Sequence, residues 1–524
     1  MKNQILIIFT VLLIIGCSKE KSKTTGWNYN DPKHGGFEIS TNYTEQITPD
    51  GMAFIEGGTF TMGRVEQDVQ YDWNNIPKSV TVSSFYMDET EVRNIDYLEY
   101  LFWIERVYGS NYDNGSYPEV YWKALPDTNV WRDKLSYNEP YVESYLRHPA
   151  FHQYPVVGVS WEQAVDYCAW RTDRVNERIL IDNGYLWEDP EQVDENVFNT
   201  DAYKMGQYEG RIRRQLPNLK LGVHQYDKKA GKDKNAVRNV QEYDGILMPR
   251  FRLPTEAEWE FAALALVGNT SKENISERKL YPWNGDGVRN PSKRNTGEIV
   301  ANYKRGRGDN MGTAGKLNDN ADRTAPVISY WPNEYGLYNM AGNVSEWVLD
   351  VYRPLVDPNT TDLNPFRGNV FETWKRDEDR FIVEKDTLGN IIRTKTTIEE
   401  NLNRRNYSKA DNINYLDGDY DSKVSKPSGD WLDDPMENTT DKVYELNETS
   451  LISDQTRVYK GGSFKDRAYW MVPGTRRFLD QKQSTSYIGF RCAMDRLGPQ
   501  TSNLKENRRK PVDWNKNSGY YDKK

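Results

Sequence analysis

The sequence predicts an α+β domain with little regular secondary structure and large insertions. Three observations lead there. Short runs of alternating apolar and small residues, such as GMAFIEGGTFTMG at 51–63, read as strands. Two capped helices, at 155–179 and 251–264, stand far apart in the chain. Between them lie long polar segments rich in Tyr, Asn and Trp, and the composition as a whole is 37% hydrophobic, 28% charged and 13% aromatic. With 35 Tyr and 16 Trp, such a chain fills the gaps between short elements with rings. At 524 residues it exceeds one compact core, so two domains or one heavily inserted domain is expected. The net charge of -9 with no clustered basic face argues against nucleic-acid binding.

Residues 1–17 read as an export signal: Lys2 is the positive end, and Ile5 to Ile15 is an apolar run shorter than the roughly 20 residues that span a bilayer. The run ends in Ile14-Ile15-Gly16-Cys17, the pattern of a bacterial lipobox, in which Cys17 becomes the lipidated first residue and anchors the chain to a membrane. Residues 18–50 follow as a polar tether with GWNYNDPKHGGF at 26–37. The domain proper is expected over 51–497, with a polar tail at 498–524. It opens on the 51–63 run, read as a hairpin turning at Gly57-Gly58.

Helical spacing of Ile95, Leu98, Leu101 and Phe102 marks the next helix. Residues 105–150 are a first insertion; its His148 and His152 have the spacing of metal ligands on a helix, but Pro149 argues for loop histidines. In 155–179, Ser160 and Gln163 form a capping box, and Trp161, Val165 and Cys168 share one face, which turns Cys168 inward. Residues 180–248 are a second insertion, charged and without strong period. In FRLPTEAEWEFAAL, 251–264, Thr255 caps and Glu258 completes the box, with Trp259, Ala262, Ala263 and Leu266 as the buried stripe. A third insertion covers 351–456; its Asp417, Asp419 and Asp421 mimic an EF-hand start, but Ser422 and Ser428 stand where the glycine and the bidentate acid belong.

RLPTEAEWE, the aromatic turn YPWNG at 281–285 and the closing run RVYKGGSF…GFRCAM at 457–494 together resemble the formylglycine-generating enzyme, or sulfatase-modifying factor, family. The resemblance implies a C-type-lectin-like fold completed by the closing run. It implies two calcium sites: Asn302, Tyr303, Asp319 and Ala321, and Asn339, Gly342, Val344 and Glu346, with carbonyls from Tyr303, Ala321, Gly342 and Val344. It also implies a disulfide between Cys168 and Cys492, the two cysteines left in the mature chain, as in animal members. The family's enzymes hold copper through two cysteines shortly after the GGS. Those places fall on Asp466 and Met471, so calcium and no copper is expected, and no oxidase. The iron-dependent relatives need a set of histidines, and only His34, His148, His152 and His224 exist. A lectin-like sugar-binding module is the alternative that the aromatic content suits.

TGWNYN, FIEGGTFTMGRV, SFYMDETEV, YLRHPAF and PVVGVSW narrow the resemblance to the gliding-motility lipoproteins of Bacteroidetes. That implies a non-catalytic docking lipoprotein of the outer membrane, facing the periplasm. Its implied partners are other gliding and type IX secretion envelope proteins, the sister lipoprotein GldK among them.

Overall fold

The structure, a computed structural model, describes residues 20–40, 45–63, 74–109, 116–218, 226–227, 232–233, 237–267, 279–306, 318–319, 321–353, 363, 366–368, 372–395 and 455–498. Cys17 and the acidic turn at 417–421 lie outside the described residues, as do most of the third insertion and His224. The chain divides into two compact units. The smaller takes Met1–Thr44, Asp173–Met248 and Glu384–Ile391; the larger takes Glu45–Thr172, Pro249–Val383 and Ile392–Lys524.

The larger unit begins with β1 (Met52–Ile55), β2 (Gly58–Met62), β3 (Lys78–Val82) and β4 (Phe85–Asp88). The 51–63 run is not the hairpin its alternation suggests. β1 pairs with β4 and β2 with β3, both antiparallel, so two chain segments run alongside each other and bend together. The bend needs a glycine, because a Cβ on Gly57 would sit 2.4 Å from the Val82 carbonyl oxygen. The backbone N–H of Gly57 donates instead to Ser84 Oγ at 3.0 Å.

Three helices follow: α1 (Asn94–Tyr108), α2 (Pro118–Ala124) and α3 (Glu139–Ser144). The apolar stripe expected on α1 is corrected: Ile95 and Phe102 are exposed, and the buried face is Asn94, Tyr97, Tyr100, Leu101, Ile104 and Val107. The reason is aromatic packing. Tyr97 stacks on Tyr167 at 5.7 Å and Tyr100 lies 5.3 Å from Trp170, both on the long helix Trp161–Asp182, so rings outcompete aliphatic chains for that face. Residues of the first insertion join this unit, with Trp131 and Tyr145 in a buried cluster that includes Val344 and Phe464.

α4 (Trp161–Asp182) starts as expected: Ser160 N–H donates to Gln163 Oε1 at 2.8 Å, and Gln163 N–H donates to Ser160 Oγ at 3.2 Å. Its last residues belong to the smaller unit, with α5 (Thr200–Met205), β5 (Leu216–Pro217), β6 (Tyr226–Asp227), β7 (Lys232–Asp233) and β8 (Val237–Arg238). This unit has its own core of Leu180, Leu186, Phe198, Tyr203, Tyr208, Val240 and Leu247. Arg238 ties it together by pairing with both Glu38 at 2.9 Å and Asp244 at 2.7 Å, so the segment before residue 45 is more than a tether.

β9 (Phe251–Arg252) leads into α6 (Glu256–Leu264), and Thr255 and Glu258 close the expected capping box. α6 is buried on every side, beyond the expected stripe, while Leu266 is only partly buried. Its acids are therefore compensated internally: Lys460 Nζ lies 3.1 Å from Glu256 and 3.0 Å from Glu260, and Arg252 grips Glu258 through two 2.7 Å bonds. The remaining strands are β10 (Ser345–Val351), β11 (Glu372–Trp374), β12 (Arg393–Lys395), β13 (Thr456–Lys460), β14 (Arg477–Asp480), β15 (Ile488–Gly489) and β16 (Ala493–Asp495). β11 and β12 pair with each other, and the rest complete two four-stranded sheets, ordered β1-β4-β16-β9 and β14-β13-β10-β15. The closing run supplies β13 to β16, and so finishes both.

Candidate functional site

Arg491, on the short segment between β15 and β16, is fully buried, and its guanidinium is met by a carboxylate and backbone carbonyls. Its Nε and Nη2 donate to the two oxygens of Glu346, each at 2.6 Å, and its other bonds go to the carbonyls of Asp88 at 3.0 Å and Tyr338 at 2.8 Å. Trp259 on α6 adds a third donor to Glu346, Nε1 to Oε2 at 2.8 Å. A second buried acid, Glu91, accepts from Asn339 Nδ2 at 3.0 Å and from Asn343 Nδ2 at 2.9 Å. Burial pushes the Glu91 carboxyl up to about 7, Arg491 opposes the rise, and the nearby charge of Glu346 adds to it.

The loop that presents these amides is strained in a consistent way. Asn339, Gly342 and Asn343 all have positive φ, at 53°, 86° and 63°. A Cβ on Gly342 would stand 2.5 Å from the Asn302 carbonyl oxygen. That carbonyl takes the Asn343 N–H at 2.8 Å, which ties the two candidate calcium sets together through the backbone. Of the second set, the structure gathers Asn339, Gly342, Val344 and Glu346 on one loop and the start of β10, and all four are buried. In the first set, Asn302 and Tyr303 are buried, while Asp319 forms a local turn, its Oδ1 accepting from Ala321 N–H at 3.2 Å.

The donor set bears on whether calcium fits the second set. An ionised carboxylate has about four lone-pair positions, and three donors already engage Glu346, leaving one for an ion. Two buried carboxylates, Glu91 and Glu346, face the single guanidinium of Arg491, so a cation beside them is compensated in charge. The residues present fit a calcium ion held by one Glu346 oxygen, the Asn339 amide oxygen and two carbonyls. Glu91, Asn343 and Arg491 were not singled out from the sequence. The signals available were the acid-rich run DETEV at 88–92 and a second Asn four residues after the first.

Asp466 and Met471, the two positions that the resemblance matches to copper-holding cysteines, have different surroundings. Asp466 is clamped by Arg477 through two 2.8 Å bonds, and Ser463 Oγ donates to it at 2.6 Å. Met471 is fully buried in an apolar cluster with Tyr281, Ile299, Ala301, Tyr303 and Ala341. Both side chains serve the fold, Asp466 as the counter-ion of a stacked arginine and Met471 as a plug. His148 caps a short 3-10 turn, its Nδ1 accepting from Ala150 N–H at 3.2 Å, and this turn around Pro149 replaces any helical His pair.

A profile described as "Sulfatase-modifying factor enzyme 1-like domain" matches residues 38–496. The chain belongs to the sulfatase-modifying factor family. Among similar curated proteins of the family, the formylglycine-generating enzyme of Mus musculus is 26% identical over 348 residues, 60% of this chain and 66% of that protein. The mouse "Inactive C-alpha-formylglycine-generating enzyme 2" is 24% identical over 323 residues, 58% of this chain and 70% of its own. The matches thus span somewhat less than two thirds of the mouse enzyme and 58% of the Bos taurus enzyme. Among solved structures, PvdO from Pseudomonas aeruginosa aligns over 86% of this chain and 98% of its own, with 13% identity and a TM-score of 0.37. The sulfatase-modifying factor family therefore contains relatives named as enzymes and relatives named as inactive.

In this member Cys168 and Cys492 meet in the core. Cys168 on α4 and Cys492 just before β16 are buried, and their sulfurs are 3.4 Å apart as free thiols rather than the bonded pair expected. Burial, then the facing Cys492, pushes the Cys168 thiol well above its usual range. Such a thiol is a poor nucleophile, so oxidation is expected while the chain folds rather than afterwards. Protein isolated from an oxidising compartment, denatured without reductant and treated with an alkylating reagent should take up no label at either position. Full labelling of both would refute the bridge.

Proposed function

We propose that this chain is a non-catalytic member of the family, a lipoprotein that serves as a docking component of the gliding-motility machinery linked to type IX secretion. The observation that supports the loss of chemistry most is the pair Asp466 and Met471. A carboxylate locked to Arg477 and a thioether sealed in an apolar cluster cannot together replace two thiolates at soft Cu(I). The motifs at 25–30, 35–37 and 84–92, which resemble GldJ, support the assignment to gliding. Lipidation at Cys17 would place the protein at the outer membrane, facing the periplasm.

A domain without chemistry is retained for what it displays, and the insertions are the unusual part of this chain. Residues 384–391 belong to the smaller unit: Lys385 N–H donates to Gln207 Oε1 at 2.8 Å and Ile391 is buried. A deletion that spares the described structure therefore removes only 396–454, bridged with Gly-Ser. Affinity purification of the lipidated full-length protein from membranes should recover gliding and secretion components, and the deletion variant should remain folded yet lose them. Recovery of the same partners by both would place the contacts elsewhere on the chain.

Calcium belongs to the same reading. Held by Asn339, Gly342, Val344 and Glu346, it would stiffen the loop under Arg491. A ligand that binds only the folded state adds RT ln(1 + [L]/Kd), about 2.7 kcal/mol at 100 times Kd. The melting temperature is expected to rise with calcium and fall with chelator; a melting temperature indifferent to both would refute the site.

A further inference from the structure

Next to Asp466 a cavity of about 410 Å³ opens between Asn74, Tyr352, Tyr459, Trp470, Arg476, Arg477 and Phe478. Arg476 in its wall is only 5% exposed. Its Nη1 donates to the carbonyls of Asn74 at 2.7 Å and Arg353 at 3.1 Å, and its Nε lies 2.7 Å from Glu256 Oε1. Its Nη2 is buried and has no acceptor. A buried guanidinium nitrogen without an acceptor is costly to leave unpaired, so it marks a place where an acceptor belongs. The other large cavity, about 420 Å³, differs in this respect, because its buried Asn333 and Asn339 are both hydrogen-bonded within the protein.

The surroundings select the sign of the missing group. Glu256 is shared between Arg476 and Lys460, and Asp466 is already committed to Arg477. Lys78 is held below its ordinary value first by burial and then by the charge of Arg367, with Glu256 opposing and Arg476 adding a smaller push. The rest of the wall is aromatic: Tyr352 and Phe478 stack at 4.3 Å, and Trp470 is partly exposed beside them. A planar guanidinium beside aromatic faces suits a carboxylate attached to an apolar or aromatic body.

We propose that this cavity binds a carboxylate carried next to an aromatic group, with Nη2 of Arg476 meeting the carboxylate and Trp470 and Phe478 meeting the ring. The proposal goes beyond docking and does not depend on gliding, so the two can fail separately.

The test titrates full-length protein with phenylacetate and, separately, with phenylacetamide, which has the same shape and no charge. Phenylacetate should bind and raise the melting temperature; phenylacetamide should do neither. Tripeptides ending in phenylalanine, with free or amidated ends, form the second arm: tighter binding of the free-ended peptide than of phenylacetate assigns a chain end as the source, and no gain assigns a small acid. Arg476→Gln is expected to weaken phenylacetate at least tenfold. Because Arg476 also holds Asn74 and Arg353, Trp470→Ala, at a partly exposed ring, serves as the second variant and should weaken binding with the fold intact. Equal response to acid and amide, or undiminished binding in a folded Arg476→Gln or Trp470→Ala protein, would overturn the proposal.

Discussion

Arg491→Met is expected to cost about 3–5 kcal/mol of folding stability, because it leaves a buried carboxylate without its counter-charge. The residue is fully buried and grips Glu346 through two bonds, and its other donors hold the Asp88 and Tyr338 carbonyls that bring β4 and the 333–344 loop to the same point. Methionine matches the length but satisfies none of these acceptors. The penalty should depend on pH, with a sign that follows from Glu91. Its folded-state value, about 7, lies above the ordinary 4.5, so the folded protein holds that proton more tightly than the unfolded chain. Stability from this group is present below about 4.5 and is lost as pH rises toward 7. Removing Arg491 takes away the charge that opposes this rise, so Glu91 should favour its protonated form more strongly. Denaturant unfolding should therefore show a larger deficit for Arg491→Met at pH 8 than at pH 5. Adding Glu346→Gln to the same protein should recover part of the loss. An equal deficit at both pH values would mean that Arg491 does not bias the ionisation of Glu91.

The parts of the fold legible in the sequence are those written locally. The capping boxes at Ser160/Gln163 and Thr255/Glu258 each lie within four residues, and both are formed. The turn of Cys168 toward the core also followed from helical spacing alone, and it is buried. Readings that depended on distant partners failed. The 51–63 run looked like a hairpin because alternation shows which residues share a face, not which strand lies alongside; the partners of β1 and β2 lie beyond residue 77. The face of α1 was misread because Tyr97 and Tyr100 can pack as deeply as leucine when Tyr167 and Trp170 lie opposite. The Glu91–Arg491 neighbourhood was out of reach for the same reason: the two residues are separated by most of the chain, and neither sits in a pattern that announces a charge cluster.

The loss of copper chemistry is the claim on which the functional reading rests, and it involves an all-or-none effect. Soft Cu(I) calls for thiolates, and at the two positions that the resemblance matches to them Asp466 is a paired carboxylate and Met471 a buried thioether. Restoring the thiols as Asp466→Cys with Met471→Cys should not revive activity on its own. Asp466 is the partner of Arg477, which stacks between Tyr459 and Trp470 at 4.7 Å from each ring, so its replacement leaves that cation without its carboxylate. Oxygen uptake by the purified full-length protein, loaded with Cu(I) and supplied with a cysteine-containing sulfatase-type peptide, measures this directly. The account expects no uptake above the copper-only control and no conversion of cysteine to formylglycine; catalytic turnover by the native chain would contradict it.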